Sequence, residues 1–359
     1  MVVSVALRTG LFDVGDYSDI VHVYRRDGLV GHPAPYFDYP LEYPVVTGAF
    51  MWVVGFVRWS AGVYFVASAA VLGALALATV RMLERLPSTR PWLLAAAPAI
   101  AFWGVQNWDF LAIALLVAAL LLHHRSDDAA GAALLALAVW AKFFPVVVLP
   151  VVVAVRLAQR RARAAIVVAA VFAAVTLLVN VPVAIGIHGS AVQLRDGWTW
   201  FFEFSHDRIA TATLWSVLDL SVADANRWSG VLLAAGLATL LGLAARGARR
   251  GRDVLLPAAG AALLWFFATG KVYSVQYSLW ILLALALAGL PVRAMIAVAA
   301  IDVLLFATLW GGLPWLGAPW PGTFLSVLRQ GTTAVLAVWV MARIASPARN
   351  RPLAAAAYP

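Results

Sequence analysis

From Val63 to Met341 the chain alternates long apolar runs with short polar breaks, and the breaks are of two kinds. One kind carries arginines, at Arg81 to Arg90, Arg125, Arg156 to Arg163, Arg246 to Arg252, Arg293 and Arg343 to Arg351. The other carries acids, as Asp109, Asp196, Glu203 and Asp207, preceded by an acidic segment with Asp13, Asp16, Asp19, Asp27, Asp38 and Glu42. Recurrent apolar runs predict an all-α polytopic membrane protein. Arginine breaks belong in the cytoplasm by the positive-inside rule, so the acidic breaks face outward. Eleven crossings satisfy every cluster: 62–82, 92–106, 110–123, 129–142, 143–157, 164–186, 229–246, 254–269, 273–290, 292–310 and 323–343. Several of these are only about 14 or 15 residues against the roughly 20 of a full span, so they need local thinning or burial among other helices. Pro44 to Val57 is also apolar, but a crossing there would reverse the charge pattern, so it reads as a re-entrant or surface-lying helix. The expectation is one integral-membrane domain over 1–359: an outward loop at 1–43, a helix bundle at 44–345 and a cytoplasmic tail at 346–359.

Composition sharpens this. The chain is 64% hydrophobic with a mean hydropathy of +0.89, and 12% of its residues are charged, against roughly 25% in soluble domains. Its formal net charge is +9, but the arginines are spread between apolar runs, so no nucleic-acid partner is expected. The absence of cysteine excludes disulfides and thiolate metal sites. No HxxH or HExxH occurs and His188 and His206 are isolated, so no metal site is expected; no GxxxxGK[ST] or dinucleotide fingerprint points to a nucleotide cofactor. The first ten residues are too short and too weakly apolar for a signal peptide or a span.

Only two lysines accompany 24 arginines, and both stand beside aromatics at the outward end of an apolar run: Trp140-Ala141-Lys142-Phe143-Phe144 and Gly270-Lys271-Val272-Tyr273. Such an ammonium either snorkels to the interface or binds an anion such as a phosphate. Gln276 and Tyr277 follow Lys271 closely enough to line the same site. Arg208 is an outward arginine within His206-Asp207-Arg208, suited to a phosphate or to a loop salt bridge with Asp207 or Glu203. In the first outward segment acids and tyrosines interleave: Asp16, Asp19, Tyr24, Tyr36 and Glu42. A carboxylate at a partly dry interface can serve as general base, and tyrosines can stack on sugars and bond their hydroxyls; an ordinary solvated acidic loop is the alternative. Asp109 reads as a helix cap or a ligand contact. The Trp, Gly and Pro of Trp310 to Pro321 read as an aromatic belt or a sugar- or lipid-stacking surface.

Taken in order, Tyr17-Ser18-Asp19-Ile20, Pro35-Tyr36, Glu42-Tyr43-Pro44-Val45, Asn107-Trp108-Asp109, Lys142-Phe143-Phe144-Pro145 and Lys271-Val272-Tyr273-Ser274-Val275-Gln276-Tyr277 resemble the polyprenyl-phosphate-mannose-dependent mannosyltransferases of glycosyltransferase family 87. The resemblance runs from about Asp16 to Trp280. It departs at the family's first transmembrane helix, not seen here, and at Val275, where the family has proline. It implies a GT-C helix bundle in the plasma membrane with its site on the extracytoplasmic side. It further implies an acid of the first outward loop as catalytic base, Asp19 by position and Asp16 as second choice, and a polyprenyl monophosphate sugar as donor. The expected activity is transfer of a hexose, mannose in that family, to a glycolipid or glycan by one inverting displacement, with Lys271, Lys142 and Arg208 on the phosphate. Tyr24, Tyr36, Glu42, Asp109, His206, Gln276 and Tyr277 are the expected substrate contacts, and no cofactor is called for. A transporter or flippase of an anionic lipid or solute would use the same cations without a base, and a non-catalytic envelope-assembly subunit would need neither.

Overall fold

The computed structural model describes residues 1–9, 17–87, 89–187, 197–210, 213–310 and 319–346. Asp16, His188, most of the Trp–Gly–Pro stretch (311–318) and the tail (347–359) lie outside them. Among the described residues the secondary structure is helical, with one isolated bridge between Pro35 and Tyr39. Three short or interfacial helices open the chain, α1 (Val2–Arg8), α2 (Asp19–Arg26) and α3 (Val45–Val54). Next come α4 (Ala61–Leu83), α5 (Pro91–Ala95), α6 (Pro98–Trp103), α7 (Asp109–His124), α8 (Asp128–Ala141), α9 (Val148–Ala158) and α10 (Ala162–Gly186). Two short helices, α11 (Trp200–His206) and α12 (Leu214–Val217), precede α13 (Val222–Arg249), α14 (Leu255–Thr269), α15 (Ser278–Leu287), α16 (Val292–Trp310) and α17 (Pro319–Ala345).

Among the described residues four stretches are long and apolar enough to cross a membrane: α4, α10, α13 and Pro321–Ala345 of α17. The chain is therefore an all-α protein with the helices of a membrane protein. The segments of α10 and α13 that would span are mostly unburied, as lipid-facing helices are, whereas the short helices α7, α14 and α15 are buried along most of their length. That is the physical answer to the short apolar runs: they form an inner layer, α7 against α8 and α4, α14 against α15 and α17. Their backbones approach closely. A Cβ on Gly260 would stand 2.5 Å from the Ala284 carbonyl oxygen of α15.

Two boundaries differ from the sequence expectation. The 92–106 run is split into α5 and α6, because Pro98 holds Ala97 extended and starts a new helix. The 143–157 run begins as a 3₁₀ turn, Phe144–Val147, around Pro145. Within the Pro44–Val57 segment, Val45–Val54 folds as α3, about 15 Å long, followed by a 3₁₀ turn at Gly55–Val57. Both its flanks are tied to α2: the Tyr43 hydroxyl donates to Asp19 at one end of that helix, and Tyr24 donates to the Arg58 carbonyl. The helix itself packs against α8 and α10, with the Thr47 hydroxyl donating to the Ala141 carbonyl (2.6 Å).

Successive helices run back and forth, so the connections gather at two ends. The arginine-bearing turns share one end, where Asp128 joins the α7–α8 turn to the α9–α10 turn through Arg156 (2.7 Å), Arg161 (3.3 Å) and His123 (3.1 Å). The acid- and lysine-bearing breaks share the other end.

Candidate functional site

At that second end the breaks between α1 and α2, α6 and α7, α8 and α9, α10 and α13, and α14 and α15 enclose a cavity of about 860 Å³. Each break ends an apolar helix and leaves unpaired backbone groups that side chains must answer. Ser18 does this for α2: its hydroxyl accepts from the Ile20 N–H and donates toward the Val105 and Gln106 carbonyls. The Asp19 N–H also donates to the Gln106 carbonyl (2.9 Å). Asp19 is thereby pinned in the first turn of α2, on the cavity wall.

The Asp19 carboxylate accepts from the Tyr43 hydroxyl at 3.2 Å and from Tyr17. Burial pushes its pKa up from the ordinary aspartate value; the two tyrosines and the charge of Lys142 pull in the other direction without overcoming it. Tyr43 and Tyr17 are in turn raised, by burial first and then by Asp19, so both stay protonated donors.

The cations differ in their commitments. Lys142, at the end of α8, is 2.7 Å from Asp109, which also accepts from the Trp280 indole N–H (3.0 Å). Lys142 lines the cavity with its charge already answered; its ammonium also lies over the Tyr43 ring. Lys271, 9% exposed, donates to the His206 carbonyl (2.5 Å) and the Arg208 carbonyl (2.8 Å), which leaves its third N–H. Burial lowers its pKa from the ordinary lysine value. Arg208 stacks on Phe204 at 3.9 Å; among the described residues no carboxylate is within ion-pair distance of its guanidinium. It is exposed and lines the cavity.

The structure therefore brings Asp19, Lys142, Arg208, Lys271, Glu42, Gln276 and Tyr277 to one cavity. Glu42 is held by Arg26 through paired 2.7 Å bonds, and Gln276 accepts from Ser274. Four expected substrate contacts are elsewhere. Tyr24 is buried, donating to the Arg58 carbonyl and packing on Tyr64. Tyr36 is buried with its hydroxyl on the Tyr43 carbonyl and its ring filling the space over Gly48. Asp109, 1% exposed, stands behind Lys142 rather than on the cavity, and Asn107, not Asp109, supplies the side-chain oxygen at the start of α7. His206 turns its ring to Asp207 (2.8 Å), and only its carbonyl serves the site, through Lys271. Periodicity could not foresee these, because Tyr24, Tyr36 and Asp109 sit on faces that only tertiary packing buries, and the exposed His206 ring takes a direction that only its neighbours set.

Other residues enter that composition did not single out. His22, Arg26, Gln106, Tyr17 and Tyr43 complete the polar wall. Phe143, Phe144, Phe201, Phe202, Phe204 and Phe266 supply the apolar part of the lining. Arg329, bonded to the Ser274 carbonyl of the lining, and Asp302 are fully buried and 3.0 Å apart; a charge inside each of two apolar runs was the signal that could have found them. Among the described residues no three His, Asp or Glu converge as a metal site. No protein-family model matches the chain, and no curated protein matches it.

Proposed function

We propose that the protein is a GT-C-type glycosyltransferase that crosses the plasma membrane eleven times and moves a hexose, mannose by its resemblance, from a polyprenyl monophosphate to an extracytoplasmic glycolipid or glycan. The observation that carries this reading is one cavity in which a desolvated carboxylate, Asp19, shares walls with the cations Lys271, Arg208 and Lys142. A transporter needs the cations but has no use for a base held at a raised pKa by burial and oriented by two tyrosines. The phenylalanine wall suits the first isoprene units of a lipid donor, and the Glu42–Arg26 wall suits acceptor hydroxyls.

In the reaction the Asp19 carboxylate takes the proton of an acceptor hydroxyl as that oxygen attacks the anomeric carbon. The bond from that carbon to the phosphate oxygen breaks, and its electron pair leaves on the prenyl phosphate. Arg208, which pairs with no acid among the described residues, and the remaining N–H of Lys271 answer that charge. Lys142, neutralised by Asp109, steadies the ionised form of Asp19. One displacement inverts the anomeric centre, so a β-linked donor gives an α-linked product.

The test is incubation of the purified protein in lipid with radiolabelled polyprenyl-phosphate-mannose and a membrane glycolipid fraction. Asp19→Asn is expected to reduce label transfer by ~10²–10⁴, the worth of a general base, with an unchanged melting curve. Wild-type turnover by a folded Asp19→Asn protein removes the assignment.

A further inference from the structure

The loop that carries Lys271, residues 270–277, joins α14 to α15 without regular structure until the 3₁₀ turn Val275–Tyr277. Its carbonyls sit among apolar helices, where an unanswered backbone group is costly. They are answered from α17. Gln330 donates to the Ala268 and Gly270 carbonyls, both at 3.0 Å, and its side-chain oxygen accepts from the Leu214 N–H of α12. Arg329 donates to the Ser274 and Val275 carbonyls, both at 2.9 Å, and to the Ser278 hydroxyl at 2.6 Å. Its plane lies 4.7 Å from the Tyr273 ring. Adjacent residues of one helix thus grip the two flanks of the loop.

The ion pair that accompanies this grip is a poor stabiliser. Arg329 and Asp302 are both 0% exposed at their side chains, while Arg329 Nε and Asp302 Oδ2 have no hydrogen-bond partner. The ion pair taken by itself can be replaced by apolar residues at little cost to folding; the cost falls on the Ser274 and Val275 carbonyls, which lose their donors. What apolar residues cannot supply is the guanidinium's bonds to the loop.

We propose that Arg329 and Gln330 are positioning residues that hold the 270–277 loop so that Lys271 faces the Asp19 wall of the cavity, with Asp302 serving to keep Arg329 charged and aimed. The proposal rests on the reading of this cavity as a phosphate-binding site for its consequence in binding, but not for the loop's conformation. The absence of cysteine makes the conformation measurable. Val272→Cys places a single thiol on the cavity side of the loop, and its rate of modification by a membrane-impermeant maleimide is followed in the full-length protein. Introducing Asp302→Leu with Arg329→Met is expected to raise that rate about tenfold or more, as the loop loses charge-assisted bonds that close it; the labelling is run well below the variant's own melting midpoint, which falls because the Ser274 and Val275 carbonyls lose their donors. Farnesyl monophosphate, the probe for the anionic head, is expected to bind about tenfold more weakly, since Lys271 is no longer pre-set. Gln330→Leu, which buries no new charge, repeats the measurement should the double variant fail to fold. An unchanged thiol rate in a folded variant overturns the proposal. A raised thiol rate with no farnesyl monophosphate binding by the unaltered loop would leave the positioning role standing and sink the phosphate reading.

Discussion

Asp19 is under opposed influences, and their balance has a measurable sign. Burial favours its neutral form, while Tyr17, Tyr43 and Lys142 favour the carboxylate. A base works only when ionised, so transfer should fall as pH drops through the raised Asp19 pKa, at a higher pH than an ordinary aspartate would give. Lys271 moves the opposite limb: its lowered pKa means its charge is lost at a lower pH than that of a solvated lysine. The expected rate profile is a bell with both sides drawn inward. Tyr43→Phe deletes a hydrogen bond that favours the ionised carboxylate, so the acid limb should move further up; a limb that stays or moves down assigns it to another group. Lys142 and Asp109 behave as a unit. Breaking such a buried pair by Asp109→Ala should cost about 3–5 kcal/mol, visible as a lower melting midpoint.

Helix contacts set where substitutions are tolerated. At Gly260 a side chain would strike the Ala284 carbonyl of α15 and the backbone nitrogen of Ala288 just past its end, which are backbone and cannot step aside. Gly260→Leu should therefore wedge α14 from α15 and lower stability by at least the roughly 1–3 kcal/mol of overpacking, read as loss of the folded peak in size-exclusion after mild heating. The Asp128 hub offers a contrast. It ties the α7–α8 and α9–α10 turns at the end away from the cavity, so Asp128→Ala should lower the melting midpoint and leave transfer per folded molecule within about twofold, since additivity holds for distant sites. A selective loss of turnover would show that the two ends are coupled.

Across the whole molecule, charge and chemistry separate. Arginine-bearing turns collect at one end and the cavity at the other, and the function proposed above, with the positive-inside rule, requires the cavity to face outside. Single thiols test this directly in a chain without cysteine. Ala223→Cys, exposed at the start of α13 near the cavity, should react with an impermeant maleimide on intact cells; Ala129→Cys, exposed at the start of α8 beside the arginine turns, should react only after permeabilisation. The reverse pattern would turn the protein over and remove any extracytoplasmic donor site.

Hydropathy and charge by themselves determined that this chain is a helical membrane protein and that its breaks fall in two classes. Both properties are additive along the sequence: each apolar residue contributes its own transfer free energy, and each arginine its own bias. The pairing of residues was not written there. That Lys142 answers Asp109, that Tyr24 and Tyr36 turn inward, that Lys271 spends two N–H groups on carbonyls, and that Arg329 reaches across from α17 are outcomes of which buried polar group finds which partner. Inside a water-excluded bundle each such group must be satisfied by a neighbour distant in sequence. Only the folded packing of the helices decides which neighbour that is.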